Sequence, residues 1–173
     1  MSSSTPKSWP ATVLTISDSC ARGERVDLSG PAVAAVLRRR NFSLRGTEIV
    51  ADEQPAIEKA MVRWAAESRL VVTTGGTGIA KRDVTPEATR QVCERLLEGV
   101  SEKMRLEGGK KTPLAALSRG VCGVRGESLI LNLPGSPTAA VESLESVIDL
   151  LPHALQLLSG NTEHAEDPHS FAG

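Results

Sequence analysis

The 173-residue sequence predicts an α/β fold, a three-layer α/β/α sandwich whose central sheet is mostly parallel. Three observations predict it. Short apolar runs alternate along the chain with amphipathic stretches at helical spacing, which is the pattern of consecutive β-α-β units. Parallel strands joined by right-handed crossovers must be covered on both faces, so helices are expected above and below the sheet. Several apolar runs end in glycine or proline turns just where a helix has to begin.

Taken in order, TVLTIS (Thr12–Ser17) reads as a buried strand, and the loop DSCARGERVDL follows it. Ser29 is placed to cap a helix running to about Arg40, with Val33, Val36 and Leu37 on one face. A turn at Gly46 then leads into the strand TEIVA. From Pro55 a helix carries Ile57, Ala60, Met61, Trp64 and Ala65 at positions i, i+3, i+4, i+7 and i+8, and delivers the chain to a third strand, LVVTT. The later half offers a helix from Pro86, an indeterminate stretch from Glu98 to Thr112, and β runs in GVCGV and SLILNL. A helix from Pro137 contains Val141, Leu144, Val147, Ile148 and Leu151. One domain is expected over residues 11–160, between a flexible N-terminus (1–10) and a polar, flexible tail (161–173).

Composition excludes several function classes. The formal net charge is -1 with both signs interspersed, so the chain lacks the basic stripe that nucleic-acid binding requires. Aromatic residues make up only 2% of the chain, too few for base-stacking platforms. Cys20, Cys93 and Cys122 are odd in number and show no CxxC spacing, which argues against a disulfide framework or a structural zinc; each reads as a small buried hydrophobe. MSSSTPKSWP has no apolar signal-peptide core and no run reaches the length of a membrane span, so a cytoplasmic protein without membrane partners is expected.

The residues that invite a functional reading sit where strands end. In a parallel sheet the carboxyl ends of the strands share one edge, and ligands bind there. Ser17 and Asp18 follow the first strand, Asp52 the second, Gly75 to Asp83 the third, and Pro134, Gly135 and Ser136 the last. In TTGGTG, Gly75, Gly76 and Gly78 leave main-chain amides uncovered, Thr77 adds a hydroxyl, and the helix near Thr85 points its positive end at the same space, so an anion is the natural occupant. The pattern is neither a Walker loop nor GxGxxG, and glycines alone fit a ligand-free strand-to-helix connection equally well. Asp52 and Asp83 beside such a turn would repel a phosphate unless a metal ion mediates, and Mg²⁺ typically takes one or two carboxylates plus phosphate oxygens. Mn²⁺ fits the same hard donors. Lys81 and Arg82 could neutralise phosphate, although a solvated surface pair is the commoner case. Ser118 and Arg119, from residues alone, read as a surface loop.

TISDS, TTGGTGIAKRDVTPEAT, LSRG and LNLPGSP, in this order and spacing, resemble the molybdopterin adenylyltransferases of molybdenum cofactor biosynthesis, the MogA/MoaB-type family, over about Thr12 to Gly160. The resemblance implies Mg²⁺-dependent transfer of AMP from ATP to the terminal phosphate of molybdopterin, with release of pyrophosphate. It also implies a homotrimer and an encounter with the molybdotransferase that inserts the metal. By motif position, Asp52 and Asp83 would be the catalytic, metal-holding carboxylates. Gly75 to Gly78 with Thr85 would hold phosphates, and Asp18, Ser118 and Pro134 to Ser136 would line the pterin and nucleotide pockets; Ser17 is counted with them. The alternative is a scaffold of the same family that binds molybdopterin without ATP chemistry. A phosphate monoester is largely dianionic at neutral pH, so the reaction needs no strong base, in keeping with His153, His164 and His169 lying beyond the motifs.

Overall fold

A computed structural model describes residues 8–160. The terminal segments expected to be flexible, 1–7 and 161–173 with His164 and His169, lie outside the described residues. Six strands form one sheet in the order β2-β1-β3-β6-β5-β4. β1 (Trp9–Ile16), β2 (Phe42–Val50), β3 (Leu70–Thr74) and β6 (Ser128–Leu133) are mutually parallel, while β5 (Cys122–Arg125) and β4 (Arg95–Leu96) continue the sheet antiparallel. β3 and β6 are buried along their whole length, as is β1 apart from Pro10, which is why apolar residues dominate them and their few polar ones are Thr, Ser or Asn.

Helices cover both faces. α2 (Ser29–Arg39), α5 (Glu98–Gly109), α6 (Pro137–Val147) and α7 (Leu151–Leu158) contribute Leu37, Met104, Leu144 and Leu155 to one core, with Val13, Val72 and Leu131 from the sheet. α3 (Gln54–Glu67) and α4 (Thr85–Val92) contribute Ile57, Met61, Ala88 and Val92 to the other, with Leu14, Val71 and Ile130. The predicted three-layer α/β/α architecture is therefore the observed one.

Several boundaries differ from expectation for physical reasons. β1 begins at Trp9, a residue assigned to the flexible N-terminus, because the Trp9 ring is buried in the core. Gly46 is not a turn. β2 runs straight through it, and the pairing with β1 slips by one residue there: Ala11 sits opposite Leu44 and Thr12 opposite Gly46. A Cβ at Gly46 would lie 2.4 Å from Cη2 of Trp64, so the glycine makes room for the indole, whose Nε1 donates to Glu48 Oε2 at 2.5 Å. The reversal sits instead at Asn41, which has φ 63°. Asp18–Ala21 forms a short helix, α1, inside the expected loop. Ser29 does not cap α2; Asp27 Oδ1 accepts from the Gly30 amide at 2.9 Å in its place. The helix expected from Pro137 through Leu151 breaks into a 3₁₀ turn at Ile148–Leu150, since Pro152 has no amide to give and its ring clashes with the preceding turn. The indeterminate stretch is mainly helix, α5, followed by a 3₁₀ turn at Pro113–Leu117.

Candidate active site

Because the four parallel strands are neighbours, their exits share one rim, and hydrogen bonds stitch those exits together. The Ser17 amide donates to Val50 O at 2.9 Å, the Gly75 amide to Leu133 O at 3.1 Å, and Thr74 Oγ1 to Pro134 O at 2.7 Å. Gly135 packs backbone to backbone against Gly75: a Cβ on Gly135 would sit 3.3 Å from Gly75 Cα. Asp18 and Asp52 are locked reciprocally, the Asp18 amide donating to Asp52 Oδ2 at 2.8 Å and the Asp52 amide to Asp18 Oδ1 at 3.0 Å.

The glycine turn lies against both acids. Gly75 and Gly76 have φ of 104° and 67°, which L side chains rarely adopt. A Cβ at Gly76 would lie 2.3 Å from Thr85 Oγ1 and 3.1 Å from Asp52 Oδ1; one at Gly78 would lie 2.8 Å from Asp83 Oδ2. The amides of Gly76, Thr77 and Gly78 donate to no acceptor among the described residues. Main-chain donors therefore lie between two carboxylates, one against Gly76 and one against Gly78, an arrangement suited to an anion that arrives with a cation.

Beside the turn opens a cavity of about 700 Å³. Its near wall carries Thr77, Gly78, Ser118, Pro134, Gly135 and Ser136, all expected from the sequence. Its far wall, from α5 and α6, carries Ser101, Met104, Arg105 and Glu142, none of which the sequence suggested. Residues in the first half of α5 gave no signal because the glycines and charges that follow obscured the helix. The expected residues thus fall into two groups. Ser17, Asp18, Asp52, Gly75, Gly76, Asp83 and Thr85 stand outside the cavity lining, and Thr77 and Gly78 join them to it through the glycine turn.

Some expected contacts are spent within the protein. The cap position of α4 is Val84, and the Thr85 hydroxyl bonds within the protein. Thr85 is fully buried, donates from Oγ1 to Gly75 O at 2.9 Å and from its amide to Gly76 O at 3.1 Å, and so fixes the turn. Ser17 Oγ accepts from the Cys20 amide at 3.2 Å and caps α1, while Ser136 Oγ accepts from the Ala139 amide at 3.3 Å and caps α6. Arg82 forks onto Asp18, with Nε to Oδ2 at 2.6 Å and Nη2 to Oδ1 at 2.9 Å.

The sequence places the chain in a family. The family model described as "Probable molybdopterin binding domain" matches residues 12–153. The chain belongs to this family. A relative from Helicobacter pylori (strain J99 / ATCC 700824) called molybdopterin adenylyltransferase is 46% identical over 153 residues, covering 86% of this chain and 87% of its own. The crystal structure of the molybdopterin biosynthesis enzyme MoaB from Thermus thermophilus is 52% identical, with TM-score 0.83 over 88% of this chain and 97% of that one. The molybdopterin biosynthesis Mog protein from Mycobacterium ulcerans is 38% identical, with TM-score 0.82 over 89% and 99%.

In this member of the molybdopterin-binding family the acids differ in character. Burial first, then the charges of Asp18 and Asp83, push the Asp52 carboxyl above its ordinary pKa. Arg82 holds Asp18 below its own. A carboxyl whose folded-state pKa is raised contributes its full stability below its unfolded pKa and loses it as pH rises through the folded one. Asp52→Asn keeps an oxygen for the Asp18 amide and removes the repelled charge. It is expected to melt above wild type near pH 7 in chelator, the gap closing toward about pH 4 in a pH series of thermal melts. A gap that is absent or independent of pH would show that Asp52 is not held under repulsion.

Proposed function

We propose that this chain transfers the adenylyl group of ATP to the terminal phosphate of molybdopterin, releasing pyrophosphate. The observation that carries the reading is the glycine turn, with its free amides, bounded by Asp52 and Asp83 and opening into the cavity through Thr77 and Gly78. The neighbouring relatives' names give the chemistry, and the rim supplies the means. A phosphate oxygen of molybdopterin forms a bond to the α-phosphorus as the bond from that phosphorus to the bridging oxygen breaks, and pyrophosphate carries off the electron pair. The attacking phosphate has a second pKa of about 6, so no base is required. His153 lies on α7 and does not line the cavity. What the residues must do is hold two anions in line and disperse their charge.

Asp52 and Asp83 fit a divalent cation. Asp18 is committed to Arg82, and no group of three or more His, Cys, Asp or Glu among the described residues could hold a metal alone. A cation shared by two carboxylates must complete its shell from phosphate oxygens and water, as Mg²⁺ does. Bound there, Mg²⁺ would neutralise charge on the polyphosphate. The amides at Gly76 to Gly78 bind phosphate oxygens, and Ser118 with the Pro134–Ser136 turn orients the partner substrate in the cavity.

The same reading takes the protein as a cytoplasmic homotrimer that can pass its product to a molybdotransferase. Exposed Val26, Leu28 and Ile79 supply apolar surface of the kind an assembly buries. No helix among the described residues is long and apolar enough to cross a membrane. The test is incubation of the purified protein with ATP, Mg²⁺ and molybdopterin. Adenylylated molybdopterin and pyrophosphate are expected in equal amounts; tight molybdopterin binding with no product would overturn the reading in favour of a scaffold.

A further inference from the structure

The loop from Gly75 to Val84 contains no helix or strand, yet it carries Asp83. Within the loop, the Ala80 amide donates to Asp83 Oδ2 and the Asp83 amide to Ala80 O, both at 3.0 Å. Leu133 and Thr85 hold its start at Gly75 and Gly76, and Arg82 forks onto Asp18; the carbonyls of Thr77, Gly78 and Asp83 are held by one residue about 40 positions away, in the connection between the 3₁₀ turn and β5. Arg119 donates its amide to Thr77 O at 2.8 Å, Nε to Gly78 O at 2.8 Å and Nη2 to Asp83 O at 2.7 Å, and pairs Nη1 with Glu87 in the first turn of α4. Both ends of the Gly78–Asp83 segment are thus pinned to one planar group, itself oriented by Glu87. Asp83 Oδ2 lies against Gly78, so the span between those two carbonyls sets where the carboxylate stands. Asp52 needs no such help, being fixed by the Asp18 amide.

We propose that Arg119 is the positioning residue for Asp83: its guanidinium clamps the glycine loop at Gly78 and Asp83 and so holds the carboxylate at the separation from Asp52 that a shared cation needs. The inference rests on Asp83 acting as proposed above. Only a guanidinium can do this. Its five donors lie in a rigid plane and reach two carbonyls and a carboxylate in different directions, whereas lysine concentrates its three donors on one flexible nitrogen. The neighbouring Ser118 faces the cavity, so the LSRG segment serves both parts of the rim through adjacent side chains.

The experiment compares wild type with R119A, R119K and E87Q by adenylyl transfer and by amide hydrogen exchange across residues 75–84. R119A and R119K are both expected to lose roughly 10- to 100-fold in turnover, as supporting partners of metal ligands do. The amides of Asp83 and Thr85 are expected to exchange faster while the core strands do not. Low concentrations of guanidinium ion should restore R119A and leave R119K unchanged, which a merely structural role would not produce. E87Q should show a smaller loss of the same kind. Wild-type turnover in R119K, or unchanged loop exchange in R119A, would overturn the clamp. Exchange separates this inference from the reading beneath it: an inactive wild type refutes adenylyl transfer, whereas an unaltered loop in R119A refutes the clamp whatever the activity.

Discussion

Asp83→Asn is expected to slow adenylyl transfer by about 10³-fold, equivalent to about 4 kcal/mol of lost transition-state stabilisation, with the protein still fully folded. The fold should survive because asparagine keeps an oxygen for the Ala80 amide, and the Asp83 main chain, which bonds Arg119 and Ala80, is unaltered. What disappears is charge. ATP and the phosphate of molybdopterin are both anions, and they can meet only where a cation stands between them. Asp18 cannot substitute, since its carboxylate is already held by Arg82. The loss should fall on turnover at saturating molybdopterin, because Ser118 and the Pro134–Ser136 turn, which line the cavity, are untouched. Single-turnover product formation, with chemical denaturation as the folding control, measures both parts. A variant that transfers AMP at the wild-type rate would remove Asp83 from the cation and, with it, the account of the rim.

The parts of this molecule visible in the sequence are those whose physics is local. β1, β3 and β6 announce themselves because strands buried on both faces must be apolar almost without interruption. The glycine and proline exits of β3 and β6 are equally legible, since Gly75 and Gly76 occupy backbone angles that other residues avoid. The acids at Asp52 and Asp83 could be placed on one rim from topology alone. Pairing between distant residues could not. β4, with two residues, carries no apolar signal of its own and exists because its Arg95 and Leu96 pair with Val124 and Gly123. Gly46 looks like a turn, yet its reason is the indole of Trp64 packed over it. The lock between Asp18 and Asp52 joins residues 34 apart, and the span from Arg119 to Gly78 is 41. Thr85 illustrates the limit most clearly: a hydroxyl beside a glycine turn read as an anion site is the obvious ligand, but in the folded chain it is buried and bonded to Gly75 O. Residue type and spacing indicated that Thr85 mattered, and only packing showed what it touches.

Gly76→Ala tests the turn itself, and its effect should exceed what backbone strain alone produces. At φ 67° an alanine is forced into the left-handed region, at about 1–2 kcal/mol. Gly126, in the hairpin between β5 and β6, has φ 55° and nothing within 4 Å of the place its Cβ would take, so Gly126→Ala carries that backbone term and no other. Gly76 adds a collision. Its Cβ would meet Thr85 Oγ1 at 2.3 Å and Asp52 Oδ1 at 3.1 Å. Thr85 is fully buried and bonded to Gly75 O, so it has no open space to retreat into, and a further ~1–3 kcal/mol of overpacking is expected. Asp52 is freer, and the methyl should displace its carboxylate from the position that the Asp18 amide sets. Gly76→Ala is therefore expected to lose roughly 3 kcal/mol in urea unfolding and nearly all activity, while Gly126→Ala loses the backbone share and keeps its turnover. Supplying excess ATP and Mg²⁺ should not restore Gly76→Ala, because the donors and the acid are displaced together. If the two variants lost equal stability and both remained active, the close approach of Gly76 to Asp52 and Thr85 would have no bearing on the chemistry. The acids and the glycine turn would then have to be treated as separate features of the rim.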